Sequence, residues 1–129
     1  MKALLIQSAV AARLNAYAPY SNFNVGAAVQ AKDGRIFTGC NVENLSYGLT
    51  ICAERSALLA AVAAGVREFA GIAIVADTRE PVSPCGACRQ VMAEFGDFPV
   101  IAATLHGKTF VSTVSEMLPR GKTGILDQP

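Results

Sequence analysis

The sequence predicts an α/β fold of three layers, α/β/α, with a mixed sheet of about five strands between helices on both faces. The order of elements, helix, hairpin, helix, strand, helix, strand, is the first observation that predicts it. The second is that the runs 71–76 and 99–105 are almost continuously apolar, as buried parallel strands are. The third is composition, because 129 residues with 52% hydrophobic and 16% charged side chains fit one folded domain over residues 1–129 and exclude a disordered chain.

The first part of the chain is predicted to form a helix and a hairpin. The helix covers residues 2–16 and is amphipathic. Its apolar stripe consists of Ile6, Val10, Leu14 and Tyr17. After a break rich in turn-forming residues, strands are predicted at 23–31 and 36–40, joined by a tight turn at 32–35.

A polar loop and a second helix come next. The loop, residues 41–47, is a candidate site because it is polar in an otherwise apolar chain. From 57 to 66 every residue is apolar or glycine, which predicts a helix buried on all sides and ended at Gly65.

The second half of the chain alternates strands and helices. Strands are predicted at 71–76 and 99–105, with an edge strand at 110–114, and Pro84 is expected to begin a helix that runs to about residue 95. Thr113 or Ser115 is expected to cap a last short helix. Residues 119–129 are rich in turn-forming residues and are expected to form a loose tail.

The charge balance narrows the classes of partner. Eleven basic residues against ten acidic ones give a net charge of +1, whereas binding to a phosphate backbone needs a basic excess. No apolar run is long enough for a transmembrane helix. We therefore expect neither nucleic acid nor membrane as a partner. The few charges on a small domain also favour association with further subunits.

Four cysteines, Cys40, Cys52, Cys85 and Cys88, are either a disulfide framework or a chemical site. Gln7 and Ser8 interrupt the first apolar stretch, so it is interpreted as an amphipathic helix and not as a signal peptide. A cytoplasmic, reducing location follows as an expectation. In that compartment clustered cysteines more often bind metal or take part in catalysis.

Three of these cysteines are placed to bind zinc. Cys52 and Cys85 stand at the starts of predicted helices, whose N-termini favour thiolates, and Cys88 lies one turn after Cys85. Three thiolates predict a catalytic zinc site, because such a site keeps one position open for water. Arg55 and Arg89 are the candidates to hydrogen-bond the sulfur atoms and offset their negative charge. Glu54 is placed to move protons beside the metal.

Two less specific interpretations remain open at this point. Cys40 could be a fourth ligand that closes a structural zinc site, although its ordinary role is that of a small buried apolar residue. Glu54 and Arg55 could form an exposed pair at a helix start. His106, the one histidine in the chain, lies in a predicted turn and is interpreted as a surface residue.

The cysteine segments resemble a known family. Cys52-Ala53-Glu54 followed by Pro84-Cys85-Gly86-Ala87-Cys88 is similar to the signature of the zinc-dependent nucleoside and nucleobase deaminases. With Cys rather than His as the first ligand, and with Asn41-Val42-Glu43-Asn44 upstream, the chain resembles the small homotetrameric cytidine deaminases. The resemblance extends from about residue 16 to about residue 118.

The resemblance implies a role for each matching residue. One zinc ion per chain is held by Cys52, Cys85 and Cys88, and Glu54 is the proton shuttle. Asn41 and Glu43 hold the ribose 3′-hydroxyl, and Phe23 packs on the pyrimidine ring. Backbone groups of Ala53 and Ser83 bind the edge of the base. Tyr20 and Tyr47 lie near the site and the subunit interface, where neighbouring subunits complete each site.

The implied reaction is hydrolytic deamination of cytidine or deoxycytidine, in which zinc-bound hydroxide attacks C4 and Glu54 transfers the protons. The chain departs from the family because no aromatic residue follows Phe110, where relatives carry a Phe after Leu-Pro; Lys122 or Ile125 is the expected replacement. A roomier pocket for N4- or C5-substituted cytidines, or an aminonucleoside antibiotic as substrate, is therefore the alternative. A free base, a zinc-stabilised binding module and a nucleic-acid editor are less favoured.

Overall fold

The computed structural model describes residues 2–122 and contains one five-stranded sheet with the strand order β2-β1-β3-β4-β5. β3 and β4 are parallel, and the other neighbouring strands are antiparallel. The strands are β1 (Val25–Ala31), β2 (Ile36–Cys40), β3 (Phe69–Ala76), β4 (Pro99–Thr104) and β5 (Thr109–Thr113). The helices are α1 (Lys2–Arg13), α2 (Ala53–Ala63), α3 (Gly86–Glu94) and α4 (Val114–Met117), with a 3-10 turn at Tyr47–Leu49.

Two hydrophobic cores, one on each face of the sheet, confirm the three-layer α/β/α prediction. On one face α1 packs Leu5 and Ala9 against β1, β3 and β4. On the other face α2 and α3 pack Leu58 and Met92 against alternate residues of the same strands. No helix among residues 2–122 combines the length and apolar character that crossing a membrane requires.

The buried stripe of α1 differs from the predicted one. Leu5, Ala9 and Ala12 are buried, whereas Val10 and Leu14 are exposed, and α1 ends at Arg13 rather than at residue 16. Small residues face the sheet because α1 runs very close to β1. A Cβ atom on Gly26 would lie 2.0 Å from the Ala9 carbonyl oxygen, which leaves no room for larger side chains between the two backbones.

The prediction that the second helix is buried on all sides is wrong for the single chain. Helix α2 buries Ala57, Leu58 and Ala61, but Leu59 is 52% exposed. Only one layer of structure covers α2, so its outer apolar face is open to solvent or to another chain.

The starts of the last two helices lie at or near the predicted positions. Helix α3 begins at Gly86, after Pro84, and Thr113 caps α4 by accepting from the Glu116 N–H. Most of the predicted tail, including Ile125, lies outside the described residues.

The sheet brings the candidate residues to one edge. Because β1 is antiparallel to both of its neighbours, its first residues lie beside the last residues of β2 and β3. Helix α2 is held close to this edge, since a Cβ atom on Gly39 would lie 2.3 Å from the Ala57 nitrogen. The loop after β2 and the starts of α2 and α3 therefore meet at the carboxyl ends of β2 and β3, where ligands bind in many α/β proteins.

Candidate metal centre

Three cysteine sulfur atoms come together where α2 and α3 begin. Cys52 and Cys85 are the N-cap residues of α2 and α3, and Cys88 lies in the first turn of α3. The Sγ atoms are 3.8 Å apart for Cys52 and Cys85 and 3.5 Å apart for Cys85 and Cys88, and all three lie within 4.8 Å of one another. Tetrahedral zinc with Zn–S bonds of about 2.3 Å requires sulfur atoms about 3.8 Å apart. The three thiols fit zinc.

Arg55 provides positive charge beside the sulfur atoms. Its Nη2 lies 3.6 Å from Cys52 Sγ and 3.4 Å from the Thr50 carbonyl oxygen. Hydrogen bonds from Cys88 and then from Arg55 lower the pKa of the Cys52 thiol to about 5. The hydrogen bond to Cys52 and burial raise the pKa of Cys88. The arrangement favours thiolate at Cys52, and the predicted contact between Arg55 and a ligand sulfur is present.

Glu54 is buried directly beside the thiols. Its side chain is 5% exposed, so the interpretation of Glu54 and Arg55 as an exposed pair is wrong. Burial raises the pKa of Glu54 to about 7, because a carboxylate loses hydration when it is taken out of water. A carboxyl group of this kind can both accept and donate a proton near neutral pH.

A cavity of about 240 Å³ opens in front of the thiols. Its walls bring together residues from β1, the loop after β2, the start of α2, the end of β3 and the segment before α3. They include the candidate site residues Phe23, Asn41, Cys52, Ala53, Glu54, Ser83 and Cys85. Seven of the predicted site residues, from four separate segments of the sequence, therefore share one cavity.

Asn41 connects two sides of this cavity. Its side chain is 8% exposed, and Oδ1 accepts from the Val25 N–H at 2.9 Å while Nδ2 donates to the Phe23 carbonyl oxygen at 2.7 Å. These two bonds fix the backbone on both sides of Asn24, so they place the Phe23 ring at the rim of the cavity. One N–H and one lone pair of Asn41 remain for a ligand.

Glu43 and Tyr47 line a different hollow, next to the first. This second hollow, of about 330 Å³, is formed by Tyr20, Ser21, Glu43, Tyr47 and Thr50. Thr50 also lines the first cavity, so the two spaces are neighbours. Tyr20 and Tyr47 are in edge contact, with ring centroids 6.0 Å apart. Within one chain, Glu43 is therefore beside the cavity that holds Asn41, not inside it.

Comparison with known proteins identifies the family. A family model described as the cytidine and deoxycytidylate deaminase zinc-binding region matches residues 2–104. The chain belongs to this deaminase family. The resemblance inferred from the cysteine segments is confirmed, and so is the expectation of one zinc ion, which the family's metal region and the three thiols support together.

Individual relatives agree with the family assignment. A cytidine deaminase of Sporosarcina psychrophila is 55% identical over 117 residues, which is 89% of this chain and 86% of the relative. The crystal structure of a cytidine deaminase from Burkholderia pseudomallei superposes with a TM-score of 0.90 at 54% identity, covering 92% of this chain and 97% of that one. A blasticidin-S deaminase of Bacillus cereus is 31% identical over 107 residues, 74% of each chain.

Arg89 does not contact the sulfur atoms of this deaminase site, so that prediction is wrong. Its guanidinium donates to the carbonyl oxygens of Pro84 and Met117, both at 2.9 Å, and to Ser83 Oγ. Arg89 points back over the first turn of α3 rather than toward the metal site. It ties the segment that carries Ser83 to the end of α4.

Cys40 and His106 both lie outside the group of three thiols, with Cys40 half-buried and His106 at the surface. Cys40 ends β2, and among the described residues it is not part of the three-cysteine group. Burial raises the pKa of its thiol. His106 is exposed, and its Nε2 lies 3.2 Å from Asp77 Oδ1.

Sequence reasoning missed several residues of the site. Val25, Ile74 and Val82 are apolar walls of the cavity, and nothing in a strand pattern separates such residues from ordinary core. Ser21 contacts Glu43 directly, although its position in a turn-rich segment suggested only a turn. Thr50 borders both spaces and accepts from the Asn44 N–H at 3.2 Å; its position two residues before Cys52 was the available signal.

Proposed function

We propose that this protein is a zinc-dependent cytidine deaminase that converts cytidine and deoxycytidine to uridine and deoxyuridine. The observation that carries the proposal is a buried carboxyl group, Glu54, in a cavity whose wall contains Cys52 and Cys85, two of the three grouped thiols that could hold one zinc ion. Three thiols leave a fourth position open, as a catalytic zinc site requires. The relatives named cytidine deaminase support the choice of substrate.

In the proposed reaction, Glu54 moves the protons. A zinc ion held by Cys52, Cys85 and Cys88 would supply the Lewis acid that makes water acidic enough to react at neutral pH. Glu54 takes one proton from the attacking water and delivers it to N3 of the pyrimidine. The water oxygen bonds to C4 as N3 is protonated, and Glu54 then takes the second proton from the new C4 hydroxyl and delivers it to the departing amine. The C4–N bond breaks, and ammonia and uridine leave.

The walls of the cavity are suited to hold the substrate. Phe23 at the rim offers an apolar face to the pyrimidine ring, and the backbone at Ala53 and Ser83 offers hydrogen bonds to the edge of the base. Asn41 and Glu43 are proposed to hold the ribose 3′-hydroxyl, since an amide and a carboxylate together can donate to and accept from a hydroxyl.

We expect the purified protein to deaminate cytidine and deoxycytidine and to be at least about 100-fold less efficient, in kcat/KM, with free cytosine. The reason is that cytosine makes none of the ribose contacts, and each hydrogen bond to a charged group is worth about 1.5–3 kcal/mol. Loss of the cytidine absorbance band measures the reaction. Equal efficiency with cytosine would contradict the proposed ribose contacts. Absence of turnover with all three compounds would contradict the deaminase proposal.

We also propose that the protein assembles as a homotetramer with sites completed by neighbouring subunits. Leu45, Tyr47 and Leu49 are 78%, 75% and 65% exposed in the single chain, and Tyr47 lines the hollow that contains Glu43. A group of exposed apolar side chains beside a site is typical of an interface.

Light scattering on the purified protein is expected to give four times the mass of the chain. Replacing Leu49 with Glu puts a charge into the interface and is expected to lower both the mass and the activity, while zinc remains bound. A fully active monomer would contradict this assembly.

Location and substrate range complete the proposal. A cytoplasmic location is supported by the four free cysteines, Cys40, Cys52, Cys85 and Cys88. A broader substrate range, including N4- or C5-substituted cytidines or an aminonucleoside antibiotic, stays the alternative, because no aromatic residue follows Phe110 and a blasticidin-S deaminase is among the relatives. Turnover of an N4-substituted cytidine by the same protein separates the two.

A further inference from the structure

We propose that Ser21 is a positioning residue for ribose recognition and acts through Glu43. This inference rests on the proposed function, because it assumes that the Glu43 carboxylate receives the ribose 3′-hydroxyl. It assigns a role to a residue that lies in the segment where the family resemblance begins but to which that resemblance gave no role.

Ser21 is held in one orientation by two hydrogen bonds of opposite direction. Its hydroxyl donates to Glu43 Oε2 and accepts from the Phe23 N–H at 3.0 Å. Because a serine hydroxyl has a single proton, the bond from Phe23 leaves that proton directed at Glu43. Asn22 adopts φ of 56°, a left-handed conformation that Asn tolerates, and this turns the chain so that one hydroxyl reaches both partners.

The acceptors of Glu43 are almost fully used. Oε1 accepts from the Tyr20 and Ser21 N–H groups at 3.0 Å and 3.1 Å, and Oε2 accepts from the Ser21 hydroxyl. An ionised carboxylate offers about four lone-pair positions, so about one remains, and it is on Oε2. That is the oxygen atom that Ser21 holds. Ser21 therefore determines where the free acceptor of Glu43 points.

The same hydroxyl favours the ionised form of Glu43. The hydrogen bond from the Ser21 side chain is the main cause that holds the pKa of Glu43 below its usual range. A carboxylate accepts a hydrogen bond from a ribose hydroxyl more strongly than a neutral carboxyl group does. Through the Phe23 N–H, Ser21 also joins the ribose side of the site to the ring at the cavity rim.

The test is a kinetic cycle on the zinc-loaded protein. Ser21→Ala is expected to raise KM for cytidine about tenfold, as the loss of a hydrogen bond to a charged group does, and to leave kcat within about twofold. Ser21→Thr, which keeps the hydroxyl, is expected to restore KM. Ser8→Ala is the matched control, because the Ser8 hydroxyl donates to the Leu4 carbonyl oxygen on the exposed side of α1, and its kinetics should match those of the original protein.

Two further measurements separate positioning from a general structural effect. In a Glu43→Ala background, Ser21→Ala is expected to add no further loss, since the two residues act as one unit. With 3′-deoxycytidine, which lacks the hydroxyl that Glu43 would bind, Ser21→Ala should leave kcat/KM unchanged. Additive losses, or an equal loss with 3′-deoxycytidine, would overturn the role of Ser21 while cytidine turnover by the original protein leaves the deaminase proposal standing.

Discussion

Replacing Glu54 with Gln is expected to reduce kcat for cytidine deamination by at least about 100-fold, because a positioned general acid–base contributes about 10²–10⁴-fold. Glutamine has almost the same shape and can still form hydrogen bonds in the cavity, but it cannot accept and release a proton. The substitution also removes the cost of keeping a buried carboxyl group among thiols. We therefore expect unchanged or slightly higher thermal stability and full zinc content.

The comparison needs both a rate and a metal measurement. Cytidine turnover is followed by absorbance, and zinc per chain is measured by atomic absorption on the same sample. Glu68→Gln serves as the control, since Glu68 is exposed, precedes β3 by one residue and lines neither of the two spaces at the site. A Glu54→Gln protein that keeps its rate with zinc bound would assign the proton transfers to another group.

The grouping of the thiols with Glu54 and Arg55 could be predicted from the sequence because most of it depends on short-range spacing. Cys85 and Cys88 are three residues apart at a helix start, so a single helical turn brings their sulfur atoms together regardless of the rest of the fold. Glu54 and Arg55 follow Cys52 in the same way. The alternation of helices and strands similarly predicted the five-stranded sheet and its three layers.

Orientation was harder to predict than position. The charge and length of Arg89 suited a contact with a sulfur atom. A long side chain in a helix points back toward the N-terminal turn, however, and Arg89 follows this direction to the Pro84 carbonyl oxygen and the end of α4 rather than to a sulfur atom. For α1, the apolar pattern predicted that larger residues such as Leu14 face the sheet, but Leu14 is exposed. The face rich in alanine packs on the sheet, because α1 and β1 approach closely at Gly26, a feature of the tertiary fold.

The position of Glu43 in the second hollow could not be predicted from local sequence spacing. Asn41 and Glu43 are two residues apart, and a loop pattern places them together, yet they line neighbouring spaces. The cause is the contact between Ser21 and Glu43, which joins residues 22 positions apart in the chain. Such a contact depends on how the segment before β1 folds over the loop after β2, and no periodicity in either segment records it.

Replacing Cys52 with Ala is expected to reduce zinc content from one ion per chain to nearly none and to abolish deamination. The remaining pair, Cys85 and Cys88, both belong to the start of α3, so α2 would no longer contribute a ligand. Arg55 would lose the sulfur partner whose hydrogen bond raises its pKa. Because zinc held by all three thiols would join the starts of α2 and α3, the melting temperature should fall as well, to about that of the original protein after a chelator has removed its zinc.

Cys40→Ala is the matched control, because it removes one thiol from the same chain at a half-buried position outside the three-sulfur group. It is expected to keep one zinc per chain and normal turnover, at a small loss of stability from the missing sulfur contacts. If Cys40→Ala lost as much zinc as Cys52→Ala, the result would support the alternative interpretation, a structural zinc site made of four cysteines. With four thiolates there would be no open position for water, so the outcome of this pair of variants decides between a structural and a catalytic metal centre independently of any assay with nucleosides.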